Sequence, residues 1–231
     1  MNFFGITLTR SRNIDPGLRL QIVRNRWIKE SETILDVGAN RGQWLAKVVD
    51  ISEEKKIVAL EPIKEIFQQL KCNFMNHKNI IVLNYAVGRK SGSRDIYVAS
   101  NQGMSSSFLE IAKFHKLGAP TVGTVKTQSV EVRDLSSIIR DFNLRNTYLK
   151  IDVQGFELEV LKSIKSSDWS KIKFIEVEVN LVENYESSSL IEEVICFLRT
   201  RGFNPFRIEP GFGVKNFGQQ LQMDILFCHE D

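Results

Sequence analysis

Cysteine is scarce in this chain, and so is every other residue whose abundance would assign it to a specialised class. Its 231 residues include three cysteines, Cys72, Cys196 and Cys228, odd in number and far apart. They offer neither a disulfide framework nor a metal-ligand spacing, and read as reduced thiols in or near the core of a cytoplasmic protein. No run approaches the roughly 20 apolar residues that cross a bilayer. The opening Met1–Ile6 stretch is too short for a signal-peptide core and has no basic region before it. Neither sign of charge dominates: 31 basic against 28 acidic residues leave a net +3. That excess is too slight and scattered to mark a nucleic-acid surface. What is present is apolar content of 42% with 26% charged residues. This suits one well-packed domain and argues against disorder.

Apolar runs alternate with helical patterns along the chain. Asp15 to Ser31 reads as a helix, with Pro16 in its first turn and Leu18, Ile22 and Ile28 at apolar positions. It is expected to cover one side of a sheet or the mouth of a site. Strand Ile34–Val37, helix Gln43–Asp50, strand Ile57–Leu60, a helix from Ile63 to about Met75 and strand Ile80–Val87 follow. This rhythm predicts a parallel sheet with helices on both faces. The rhythm breaks over residues 92–132, where Arg94–Ala99 and Thr124–Val132 alternate like strands around a polar stretch holding Ser105, Ser106 and Ser107. We read this region as an insertion closing over a site. Alternation resumes with a helix capped by Asp134, strand Thr147–Val153, a helix after Gly155, strand Ile172–Val179, helix Ser189–Arg201 and strands Phe203–Ile208 and Met223–Cys228. The whole of 1–231 reads as one domain, with 1–31 as an N-terminal helical extension and no linker.

Chemistry concentrates at two strand ends. In Thr33-Ile34-Leu35-Asp36-Val37-Gly38-Ala39-Asn40-Arg41-Gly42 a buried strand breaks into a glycine-bearing bend and then a helix start. Gly38 and Gly42 would let backbone approach a ligand, and the helix start would supply free N–H groups. Such bends also join strands to helices in proteins without ligands. The dinucleotide fingerprint needs a third glycine, absent here, and Asp36 would repel a pyrophosphate. A carboxylate in that place favours a ligand bearing an amino group and a positive sulfur, which points to S-adenosylmethionine (SAM) over NAD. Glu61, at the end of Lys56-Ile57-Val58-Ala59-Leu60-Glu61-Pro62, is placed to accept hydrogen bonds from ribose hydroxyls. A solvated strand-end glutamate is the alternative.

With these two blocks and Leu149-Lys150-Ile151-Asp152-Val153-Gln154-Gly155-Phe156-Glu157 in order, the chain resembles the FkbM family of SAM-dependent methyltransferases. Asn84-Tyr85-Ala86-Val87-Gly88 and the Met104–Ser107 serine cluster are similar too. The resemblance implies a Rossmann-like class I methyltransferase fold, a seven-stranded, mostly parallel α/β sheet with an antiparallel last strand. It also implies methylation of hydroxyl oxygens on small molecules or sugars. By the resemblance, Gly38, Asn40 and Gly42 would cradle the methionyl part of SAM, and Asp36 would hold its ammonium, directly or through water. Glu61 would grip the ribose, Pro62 and Ile63 would flank the adenine, Ala86 would meet its edge, and Ser106 would reach the carboxylate or line the mouth. Asp152 and Glu178 are the catalytic candidates, as proton acceptors or orienting groups. Asp152 reads equally well as a cap for the helix after Gly155, and Glu157 as a first-turn acid favoured by the helix dipole.

Gln154 departs from the family pattern, which has Glu there, and Arg41 stands where a small or apolar residue is common. Glu176, Glu178 and Asn180 share one side of their strand. With Asp152 they could hold a divalent ion, although no metal is the preferred reading. Among the histidines, His115 lies inside the insertion and is the one that could stand near the pocket, with a surface position the preferred reading. His77 and His229 read as loop or terminal residues. A SAM-binding protein without transferase activity is the second functional reading.

Overall fold

The computed structural model describes residues 16–214 and 218–229. In chain order the elements are α1 (Pro16–Glu30), β1 (Thr33–Val37), β2 (Lys56–Leu60), α2 (Lys64–Asn73), β3 (Ile80–Leu83), β4 (Ala86–Val87), β5 (Gly92–Ala99), α3 (Lys113–Gly118) and β6 (Thr124–Arg133). Then come α4 (Leu135–Asp141), β7 (Thr147–Ile151), α5 (Glu157–Lys162), β8 (Ile172–Asn180), α6 (Ile191–Arg199), β9 (Phe203–Pro210), β10 (Gly213–Val214), β11 (Gln219–Gln220) and β12 (Gln222–His229). Seven strands form the main sheet in the order β3-β2-β1-β7-β8-β12-β9. β1, β2, β3, β7 and β8 pair in parallel, and β12 runs antiparallel to both β8 and β9. This is the class I methyltransferase architecture. A separate sheet, β4-β6-β5, joins strands of the 92–132 region to β4, which precedes it, and carries its own small core around Ile96, Val98, Phe108, Val130 and Val132.

Side chains in a strand alternate between faces, so each strand contributes two rows. One row packs Leu35, Val37, Val58, Leu60, Leu149, Ile151, Ile175 and Val177 among residues of α4, α5 and α6. The other row begins apolar, with Ile34, Ile57, Tyr148, Phe174 and Leu226 against Leu20, Trp27 and Ile28 of α1. Trp27 stacks on Phe174 with ring centroids 4.4 Å apart. Further toward the carboxyl edge this second row turns polar, through Asp36, Lys150, Asp152, Glu176 and Glu178, with Asp224 opposite Glu178. A sheet face that changes from apolar to charged along its length is what positions the site.

Three local expectations change. The Gln43–Asp50 helix is two short 3-10 turns, Leu45–Lys47 and Val49–Ile51, interrupted where Val48 adopts φ −125°. Adjacent β-branched valines are weak helix formers, and Trp44, Leu45, Val48 and Val49 must all face inward over this short span. The apolar run Ile80–Val87 is two strands in two different sheets. Between them Asn84 donates its side-chain amide to the carbonyls of Glu61 and Pro62. That anchors the chain as it leaves the main sheet. In α1 the inward stripe is Leu20, Arg24, Trp27 and Ile28, and Ile22 is 54% exposed.

Candidate active site

A cavity of about 360 Å³ opens at the carboxyl end of the parallel strands. Gly38, Asn40, Glu61, Pro62, Ala86, Ser106, Asp152 and Glu178 all line it. Asp36 and Gly42 do not. Ile63 lines it as well, so the structure brings nine of the eleven sequence-nominated site residues to one space and leaves two outside its lining.

The bend after β1 is packed against protein on its open sides. A Cβ on Gly38 would lie 1.9 Å from the Asp152 carbonyl oxygen, and one on Gly42 would lie 2.1 Å from the Phe74 ring. Both residues have φ near +85 to +90°. Close packing against Asp152, just past β7, and Phe74, just past α2, by itself requires glycine at both positions. Nor does the bend present free donors. Gly38 and Ala39 N–H groups donate to the Leu60 carbonyl, Asn40 N–H to Glu61, Arg41 N–H to the Asn40 side chain, and Gly42 N–H to the Ala39 carbonyl. With no α-helix following, the expected anion-binding helix start does not form.

Glu61 is 4% exposed, and its two carboxylate oxygens accept from Asn40 N–H at 3.0 Å and Ile63 N–H at 2.8 Å. Each carboxylate oxygen retains acceptor capacity beyond one bond. Ser106 Oγ accepts from Ala99 N–H at 3.0 Å, so its hydroxyl hydrogen remains available toward the cavity.

Asp36 is fully enclosed and neither of its oxygens accepts a hydrogen bond among the described residues. Its near neighbour is Lys150 Nζ at 3.9 Å. The expectation that Asp36 grips a ligand directly is corrected: Lys150, in register with it on β7, stands between Asp36 and the cavity. Lys150 also donates to Asp152 Oδ2 at 3.1 Å. Burial pulls the Lys150 ammonium down, but Asp152, Asp36 and Glu176 outweigh it, so it is held charged. A lysine inside the apolar run Leu149–Ile151 was the signal in the sequence that could have marked it.

Asp152 is not a helix cap. The N–H groups of Val153 and Gly155 donate to Glu157 Oε1 at 3.1 and 3.0 Å, so Glu157 seals that turn. Asp152 is thereby left to the cavity, held by Lys150 and by Gln154 Nε2 at 2.7 Å. Glu178 Oε2 accepts from Gln154 at 2.7 Å and from Gln222 at 2.8 Å. Burial, followed by the nearby Asp152, Asp224 and Glu157 carboxyls, pushes Glu178 well above the ordinary carboxylate range.

Glu176 belongs to a different arrangement. Arg24 donates to it from Nε at 2.8 Å and from Nη2, Tyr148 donates at 2.6 Å and Trp44 Nε1 at 3.2 Å. These donors remove Glu176 from any metal-ligand set with Asp152 and Glu178. Among the described residues no group of three His, Cys, Asp or Glu is placed to hold a metal ion. His115, expected at the surface, is 2% exposed, with Ser105 Oγ 3.2 Å from Nε2 and its ring against Tyr185 and Phe212. It does not line the cavity. His77 packs against Phe74 and His229 against Phe203.

Burial also raises Asp36 to about 6 and Glu61, Glu157 and Asp224 each to about 7. A carboxyl raised in the folded state binds its proton more tightly folded than unfolded. The stability it contributes is full below its unfolded pKa and is lost as pH rises through its folded one. The urea midpoint is therefore expected to be higher at about pH 5 than at about pH 8. A midpoint flat or rising over that window would contradict the burial of these groups.

The fold and the cavity at its carboxyl edge define an α/β methyltransferase. Residues 36–205, most of the chain, match the methyltransferase FkbM domain. The chain belongs to the FkbM methyltransferase family. It is 25% identical over 195 residues to methyltransferase sdnD of Sordaria araneosa, covering 74% of this chain and 73% of that protein. It is also 25% identical over 197 residues to the 31-O-demethyl-FK506 methyltransferase FkbM of Streptomyces tacrolimicus, covering 76% and 74%. Among solved structures, a putative rRNA-methylase from Clostridium thermocellum aligns with TM-score 0.53 at 8% identity, over 95% of this chain and 98% of that one. Aeropyrum pernix fibrillarin, solved with natively bound S-adenosyl-L-methionine, aligns with TM-score 0.50 at 12% identity, over 91% and 74%. At such identities these two likenesses speak for the fold. No helix among the described residues is long and apolar enough to cross a membrane.

Proposed function

We propose that this methyltransferase uses SAM and methylates a hydroxyl of a small molecule or sugar. The observation that carries the cofactor reading is the bend at residues 38–42, whose five N–H groups are all satisfied internally and whose neighbours are Asp36 and Glu61. A pyrophosphate would meet the Glu61 carboxyl and no free backbone donor there, whereas an adenosine would meet an acceptor for its ribose hydroxyls. The fit extends along the cavity. Glu61 has acceptor sites left for two ribose hydroxyls, while Pro62, Ile63 and Ala86 offer apolar surface for the base. Gly38, Asn40 and Ser106 line the part of the cavity suited to the methionyl portion. Fibrillarin with its bound SAM and the hydroxyl-directed name of the Streptomyces relative support the same reading.

Bound SAM would supply an activated methyl group, leaving the protein to align the acceptor and receive its proton. Asp152 and Glu178 line the same cavity as the cofactor residues. A carboxyl raised by burial is suited to take a hydroxyl proton once ionised, and one held by Lys150 is suited to orient the hydroxyl. The exposed thiols Cys72 and Cys196 fit a reducing compartment, in keeping with a cytoplasmic enzyme.

Calorimetric titration tests the cofactor: SAM and S-adenosylhomocysteine are expected to bind and NAD to give no heat of binding. NAD binding with no SAM response would sink the proposal. Mass shifts of one methyl group across a panel of sugars, nucleotide sugars and polyketides would then identify the acceptor.

A further inference from the structure

Between the two candidate proton acceptors stands a residue in an unusual conformation. Gln154 has φ +58°, followed by Gly155 at +98°. For a residue with a Cβ this left-handed region costs about 1 kcal/mol or more, and such strain persists where the surroundings over-determine it. The strained turn directs the Gln154 side chain into the cavity wall, where its amide is fully used. Nε2 donates to Asp152 Oδ1 and to Glu178 Oε2, both at 2.7 Å, and Oε1 accepts from the Tyr185 hydroxyl at 2.5 Å. An amide nitrogen carries two hydrogens, so each carboxylate receives one. Rotating the amide by half a turn would aim Oε1 at two carboxylates, and the Tyr185 contact opposes that rotation.

Tyr185 is itself immobile. It is fully buried, its ring lies 5.3 Å from that of His115, and a Cβ on Gly155 would come within 3.0 Å of it. Gly155 thus leaves the space that the tyrosine occupies.

The consequence is an asymmetry between the carboxylates. Asp152 has a donor on each oxygen, one of them the Lys150 ammonium. Glu178 takes Gln154 and Gln222 on Oε2, and its Oε1 accepts from no donor among the described residues. The charged and titratable groups around Glu178 are Lys150 on β7, Asp152 just past its end, Glu157 on α5, Asp224 on β12 and the Tyr185 hydroxyl. Only one of the five is a cation, and Asp152 lies within its reach.

We infer that Gln154, clamped by Tyr185, is a positioning residue that holds Asp152 as a fixed anion and leaves Glu178 Oε1 to exchange the acceptor's proton. The inference rests on the methyl-transfer reading above. In that transfer the acceptor oxygen gains the methyl group and gives its proton to Glu178, while the broken carbon–sulfur bond leaves its electron pair on sulfur.

Its test does not need a known acceptor. Glutamate side-chain carboxyls labelled with ¹³C can be titrated by NMR in the SAM-loaded protein, with Glu178 assigned by its loss in Glu178→Gln. In Tyr185→Phe and in Gln154→Met, Glu178 loses an oriented donor to its anion and should titrate about one pH unit higher than in wild type. Two variants are used so that a folding failure in either leaves the other to decide. A Glu178 titration that is unmoved or lowered overturns the inference. Absence of SAM binding by calorimetry in wild type would instead overturn the cofactor reading, so the two failures are distinct.

Discussion

Asp152→Asn and Glu178→Gln should each lower methyl transfer by about a hundredfold or more while leaving SAM affinity within a few-fold of wild type. The expectation follows from where the side chains sit. Both line the cavity, but neither is the proposed ribose acceptor, Glu61, which stands on a different strand end. Asp152→Asn also leaves the Lys150 ammonium with Asp36 as its near carboxylate, 3.9 Å away. Orientation of the acceptor suffers while the fold retains a counter-charge. Glu178→Gln removes a cavity-lining carboxyl whose Oε1 takes no donor among the described residues. The readouts are single-turnover rates against an acceptor found by the mass screen, and calorimetry for SAM. Preserved turnover in both variants would remove the two carboxylates from the reaction.

Arg24→Met should cost about 3–5 kcal/mol of stability, the scale expected when one partner of a buried ion pair is removed. Arg24 and Glu176 have side chains 8% and 4% exposed, and Arg24 makes two of the hydrogen bonds to the carboxylate. Burial alone would lift Glu176, but the guanidinium, with Tyr148, holds it below the usual range. Without Arg24 the glutamate must either protonate or stay charged in a poorly hydrated layer. The double variant Arg24→Met with Glu176→Leu should recover only part of the loss, because it removes the unpaired buried charge but leaves the Tyr148 hydroxyl and Trp44 Nε1 without their acceptor. Urea unfolding measures both, and a single-variant loss under about 1 kcal/mol would refute the argument. Arg24 also lines the cavity, so the same contact ties α1 to the site.

Much of this was legible in the residues. Apolar runs closed by Gly38, Gly88 and Gly155 correspond to strands or their ends, and Asp134 caps α4 by accepting from Ser137 N–H at 2.9 Å. Glu61, Asp152 and Glu178 were identifiable because an acid at or near the carboxyl end of a predicted parallel strand has few other places to go. Other features had no local signature. Asp36 and Glu61 both lie at the ends of apolar runs, yet one is sealed behind Lys150 and the other faces the cavity. Asp36 is in register with Ala59, two residues before Glu61, so the difference is how far along the strand each acid stands and what stands next to it on the neighbouring strand. His115 looked solvated because its own segment is polar, and it is buried because Tyr185 and Phe212 come from distant segments. Arg24 was readable in hindsight, at helical spacing within the Leu20, Trp27 and Ile28 stripe.

Order of the elements, the parallel sheet and the acids at its carboxyl edge were set by the residues alone, since periodicity, glycine breaks and strand ends are local properties of the chain. The division of those acids was decided only by the tertiary structure. Whether a carboxyl is sealed in, salt-bridged or open to the cavity depends on donors that arrive from other strands and helices. Glu176 met Arg24, Asp152 met Lys150, and Glu178 met only amides.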